Sequence, residues 1–134
     1  MSTQAENPLA KQTPPNAWGS CFDTAAKLFV ENMDAKDITI CHGIGIANRP
    51  GQEGLRVAHA WLEFDMNGLR TAVDPIWLIA QPAATYRKNF QVQRVVEYDK
   101  KEFMHLWGYY DFPGPWDSVI KKFTSNSSNA EVSA

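Results

Sequence analysis

A chain of 134 residues with 44% apolar side chains, five tryptophans and 21% charged residues has the composition of one globular domain that can bury a core without staples. Its formal net charge of -2, with Lys and Arg scattered, argues against the basic stripe that nucleic-acid binding needs. No apolar run approaches the ~20 residues of a membrane-spanning helix. The opening MSTQAENPLAKQTPPN has neither the basic start nor the apolar stretch of a secretory signal, so a cytoplasmic location is expected. In that compartment Cys21 and Cys41 are not expected to form a structural disulfide.

Residues 1–15, polar with paired prolines, and 124–134, small and polar, read as disordered flanks of a single body at 16–123. The body opens with WGSCFDTAAKLF. Phe22, Ala25, Ala26, Phe29, Val30 and Met33 recur at helical spacing. Ser20 is placed to cap this helix with Asp23 three residues on, which makes Cys21 its first residue. DITICHGIGIA then alternates as a strand. Ile38, Ile40, His42, Ile44 and Ile46 share one parity and Cys41 takes the other, so Cys41 is expected to be buried and His42 hydrogen-bonded. The turn-rich NRPGQEG follows.

LRVAHAWLEF and LRTAVDPIWL are two β-rich runs joined at Asn67-Gly68, a strong signal for a two-residue type I′ hairpin turn. Residues 89–98 read as a fourth strand. Asp99 and Glu102 cap a short helix in KKEFMHLWG, and WDSVIKKF supplies a last helical turn or two. The aromatics of FMHLWGYYDFPGPW are expected to close the core, with His105 structural or on the surface. The order is that of an α+β domain.

The hairpin fixes a register. With Asn67 and Gly68 as the loop, Phe64 faces Thr71, Leu62 faces Val73 and Trp61 faces Asp74. His59 and Trp61 share a face by the period of two, so His59 and Asp74 become diagonal neighbours, roughly 7–8 Å apart at the backbone. A carboxylate there accepts a hydrogen bond from the imidazole. A thiol at a helix N-terminus has its thiolate favoured by the helix dipole and the free N–H groups. If the helix start packs on the His59/Asp74 face, Cys21 is the nucleophile, His59 its base and Asp74 the residue that orients the ring. Donors for an oxyanion are then the Cys21 amide and the side chains of Asn16, Trp18 or Ser20, Asn16 first among them.

These residues carry a resemblance. WGSCF resembles the surround of the papain-type nucleophile. HAWLEF, a hairpin and AVDPIW are similar to the H-A-W and D-P-x-W stretch of transglutaminase-like proteins. Together, over about Trp18 to Trp77, they resemble small bacterial and phage members of that superfamily. The resemblance implies a papain/transglutaminase-like fold, with an N-terminal nucleophile helix on an antiparallel sheet of about four strands and short C-terminal helices. It implies Cys21, His59 and Asp74 as a catalytic triad, with Trp61 and Trp77 walling the site. It further implies amide or ester chemistry on a protein or peptide substrate, as a peptidase, deamidase or cross-linking enzyme, without a cofactor. A zinc site from Cys21, Cys41, His42 and His59 lacks the close Cys pairing of most structural zinc centres, so no metal is expected. The competing expectation is a catalytically silent binding or inhibitor protein on the same fold, using its aromatic C-terminal surface.

Overall fold

The computed structural model describes residues 21–46 and 53–124. The expectations for Asn16, Trp18, Ser20 and the two flanks therefore fall outside the described residues. Helix α1 (Cys21–Glu31) buries Phe22, Ala25, Ala26 and Phe29, four residues of the stripe its spacing predicts, and Cys21 with them. Val30, counted on that stripe, is instead exposed. Strands β1 (Thr39–Ile46), β2 (Arg56–Met66), β3 (Leu69–Asp74), β4 (Ile79–Pro82) and β5 (Gln93–Tyr98) form one antiparallel sheet in the order β4-β3-β2-β1-β5. Helices α2 (Ala83–Asn89), α3 (Lys100–Tyr110) and α4 (Ser118–Lys121) complete an α+β architecture.

Two departures from the sequence reading have local causes. The sheet has five strands, not four. Pro75 and the left-handed Leu78 (φ 57°) break the run LRTAVDPIWL, and the chain turns back so that Ile79 pairs with Asp74. Residues 89–92 are not strand. Asn89 closes α2, which inserts Ala83 and Tyr86, with Phe90 just beyond, as one buried side. The hairpin is as read: Asn67 and Gly68 both take positive φ, and Met66–Leu69, Phe64–Thr71 and Leu62–Val73 are paired. Asp99 and Glu102 form a reciprocal capping box on α3.

The sheet separates two apolar clusters. On one face α1 packs with Ile40, Ile44, Ala58, Ala60 and Leu62 against Tyr98, Phe103 and Ile120. On the other, α2 covers Cys41, Trp61, Ala72, Tyr86 and Phe90. Gly43 makes this second face possible, because a Cβ there would stand 3.1 Å from Trp61 Cη2. The C-terminal part is tied back to the middle of the sheet, where the Ala58 amide donates to the Phe123 carbonyl at 2.8 Å.

Candidate active site

His59 and Trp61 project from β2 toward the α2 side, as their shared parity requires. The pairing of β2 with β3 stops at Leu62–Val73. His59 therefore lies past the end of that ladder, where β3 has turned away toward β4. Asp74, the last residue of β3, comes to it there. His59 Nε2 donates to Asp74 Oδ2 at 2.6 Å, with both side chains buried. This is the diagonal contact that the hairpin register predicts.

The remaining oxygen of Asp74 is also used. Oδ1 accepts from the backbone amides of Ile76 and Trp77, both at 2.9 Å. One carboxylate thus shapes the turn after β3 with one oxygen and holds the imidazole with the other. Trp77, carried by that turn, stacks on the His59 ring at 4.0 Å with 13° between the planes. Trp61 lies parallel to His59 at 6.4 Å and donates its indole N–H to Glu63. Both aromatics expected at the site are thus beside the imidazole.

Cys21 arrives differently from the expectation. The body of α1 packs on the opposite face of the sheet, with Ala58, Ala60 and Leu62, because its apolar stripe matches that face. Its first residue, Cys21, is near enough to bear on the His59 proton. Cys21 Sγ points to the Ala58 carbonyl at 3.9 Å, immediately before His59. Burial disfavours the His59 imidazolium. The charge and hydrogen bond of Asp74 outweigh it, with a smaller push from Cys21, and the pKa is raised to about 10. Cys21, His59 and Asp74 are 0%, 1% and 1% exposed, so the set is sealed in this state.

The same face holds a second polar group. Glu63, buried, takes a bidentate pair of bonds from Arg87 at 2.9 Å each, and Arg87 also reaches Glu97 at 3.0 Å. Ligand atoms of Cys41, Glu63 and Glu97 lie within 4.8 Å of one another. Arg87 stands among them and neutralises the buried carboxylate. Burial above all, then the charge of Glu63, pushes the Cys41 thiol far up, which keeps it protonated. The four residues considered for zinc do not converge, since His42 and Cys41 point to opposite faces.

His42 corrects an expectation. Neither ring nitrogen has a hydrogen-bond partner among the described residues. The ring is instead caged by Phe22, Tyr98 and Trp116 at 4.8, 5.1 and 5.7 Å between centroids, with Gly114 against its edge. His105 is exposed. Tyr86, which the sequence reading passed over, donates its hydroxyl to Asp74 Oδ2 at 2.5 Å. Its signal was the helical spacing Ala83, Tyr86, Phe90, hidden by the strand assigned from Asn89.

No family model, curated protein or solved structure matches the chain. Among the described residues no helix is long and apolar enough to cross a membrane.

Proposed function

We propose that the chain is a cysteine-dependent hydrolase or acyltransferase on a papain/transglutaminase-like fold, acting on an amide or ester of a protein or peptide. The observation that carries this reading is the imidazole of His59, held by Asp74 at 2.6 Å on Nε2 and acted on by Cys21 at the first turn of a helix. A stable imidazolium beside a thiol is the arrangement that yields a thiolate–imidazolium pair. In the reaction, the Cys21 sulfur attacks the carbonyl carbon and the electron pair moves to the oxygen. The Cys21 amide at the helix start is a donor for that oxygen. Collapse expels the amine or alcohol with a proton from His59, leaving a thioester. Water or an amine, deprotonated by His59, then releases the acyl group and regenerates the thiol. Asp74 holds the ring in place throughout. Because the set is buried, turnover requires it to open to substrate.

A chloromethyl ketone or similar activity-based probe for cysteine hydrolases tests the reading. It is expected to label the protein covalently at Cys21 and not the Cys21→Ala variant. Labelling of Cys41 alone, or none under conditions that label a papain-type control, refutes it.

One observation favours the second reading, a silent binding protein on this fold. The triad residues are sealed, whereas Tyr109 is 73% exposed with Tyr110 and Phe112 beside it. Under that reading Cys21→Ala leaves partner binding intact and Tyr109→Ala weakens it, both readable by titration against the captured partner.

A further inference from the structure

Tyr86 reaches the site from α2, outside every motif that marked Cys21, His59 and Asp74. It is fully buried, its ring wedged between Trp61 and Phe90 with centroids at 5.2 and 4.9 Å. Its hydroxyl donates to Asp74 Oδ2 at 2.5 Å, and the same oxygen takes the His59 Nε2 proton at 2.6 Å. Oδ1 is committed to the Ile76 and Trp77 amides. Asp74 therefore has one oxygen given to the backbone and one divided between an imidazole and a phenol. In a buried site, two donors on one oxygen share its charge, and each is held less strongly than it would be alone.

This division matters to the chemistry. An imidazole gripped too firmly by a carboxylate keeps its proton and is a poor acid toward a leaving group. A group that takes part of the carboxylate's charge brings the ring back toward a working range. We propose that Tyr86 is a positioning residue of the Cys21–His59–Asp74 set: by sharing Oδ2 it fixes the carboxylate and tempers its hold on the His59 proton. This role rests on reading the set as an acyl-transfer site.

The charged and titratable groups that bear on Tyr86 are few. After burial, which is the largest cause, Asp74 from β3 and Cys21 from α1 hold its hydroxyl protonated, while Cys41 from β1, itself kept protonated, also faces it. His59 from β2 is the other donor to Oδ2. Arg87, next to Tyr86 in α2, is turned to Glu63 and Glu97. Tyr86 is therefore a donor across the working pH range.

Tyr86→Phe removes one oxygen and keeps the ring contacts. In the Cys21→Ala chain, His59 is followed by NMR titration of its ring. Tyr86→Phe is expected to make His59 hold its proton roughly three- to tenfold more tightly. An unchanged titration in a folded variant overturns the proposal, and a merely structural role for Tyr86 would not move it. In the Cys41→Ala chain, where Cys21 is the sole thiol, the onset of iodoacetamide alkylation is expected to shift to lower pH with Tyr86→Phe. If Cys21 alkylates like an ordinary thiol before any change at Tyr86, the acyl-transfer reading falls. A shifted His59 titration then still upholds the sharing of Oδ2. Should Tyr86→Phe not fold, 3-fluorotyrosine at the same position keeps the ring and strengthens the donor. It is expected to loosen the His59 proton, and no change there overturns the proposal.

Discussion

His42 and His59 sit one register step apart on adjacent strands, since His42 pairs with Ala60 and Gly43 with His59. Both are buried to within 1% of complete. Their side chains leave opposite faces of the sheet and meet opposite fates. His42 faces an aromatic cage with no hydrogen-bond partner among the described residues, and burial lowers its pKa to about 3. His59 meets the same burial, but the charge and hydrogen bond of Asp74 reverse it and raise the pKa to about 10. Burial alone therefore makes a histidine neutral and inert. What makes one of them a candidate base is the carboxylate that a hairpin delivers to it.

The largest test removes that carboxylate. Asp74→Ala takes the acceptor from four donors, namely His59, Tyr86 and the Ile76 and Trp77 amides. It leaves a buried imidazole and phenol without their partner. A loss of about 3–5 kcal/mol is expected in urea unfolding, as for other broken buried pairs. His42→Leu, by contrast, exchanges an unpartnered imidazole for an apolar side chain of similar size, and is expected to stay within about 1 kcal/mol of the parent. Equal costs for the two substitutions would erase the distinction between the histidines.

The cage itself can be broken next. A Cβ on Gly114 would stand 2.5 Å from His42 Cε1, and Gly114 has φ 108°, a conformation that side-chain-bearing residues avoid. Gly114→Ala is expected to cost about 1–3 kcal/mol from overpacking and backbone strain, read by thermal unfolding. A variant as stable as the parent would mean that the cage around His42 is loose.

The two histidines also predict opposite pH limbs. The folded pKa of His42 lies below its ordinary 6.5, so the unfolded chain binds the extra proton and stability falls as pH drops from 6.5 toward about 3. The folded pKa of His59 lies above 6.5. Its contribution is complete below 6.5 and is lost as pH rises through about 10. Unfolding free energies measured across pH are expected to show the acid limb flattened in His42→Leu and retained in His59→Gln, with the alkaline limb behaving the other way. Identical profiles for the two variants would contradict the assignment.

How much of this could be read beforehand depended on whether the determinant was local. The α1 stripe, the capping box at Asp99 and the Asn67-Gly68 turn are encoded within a few residues, and each, Val30 apart, is where its pattern places it. The His59–Asp74 contact was legible because a two-residue turn converts local chemistry into a register. The face on which α1 packs was not legible, because a helix with one apolar stripe carries no mark of which side of a sheet it will cover. Nor was the state of His42. Its parity was evident, but its lack of a partner depends on Trp116 and Gly114, more than seventy residues away in the chain. Tyr86 and the Arg87–Glu63 pair were hidden because the strand read from Asn89 took Phe90 out of the helical spacing Ala83, Tyr86, Phe90.

The smallest effect probes the device that separates the two histidines. Asn67 tolerates its φ of 53° better than other side-chain-bearing residues do, and Gly68 at 85° completes the type I′ turn. Asn67→Ala should cost roughly 1 kcal/mol in urea unfolding, for the left-handed conformation alone. It should leave the His59 NMR titration unmoved. The register has a second guarantor, because a slip by one residue would turn Leu62, 1% exposed, out of the α1 face and drive Glu63 into it. If Asn67→Ala instead lowers the His59 pKa toward that of His42, the turn alone holds the carboxylate in place, and the burial pattern of β2 does not.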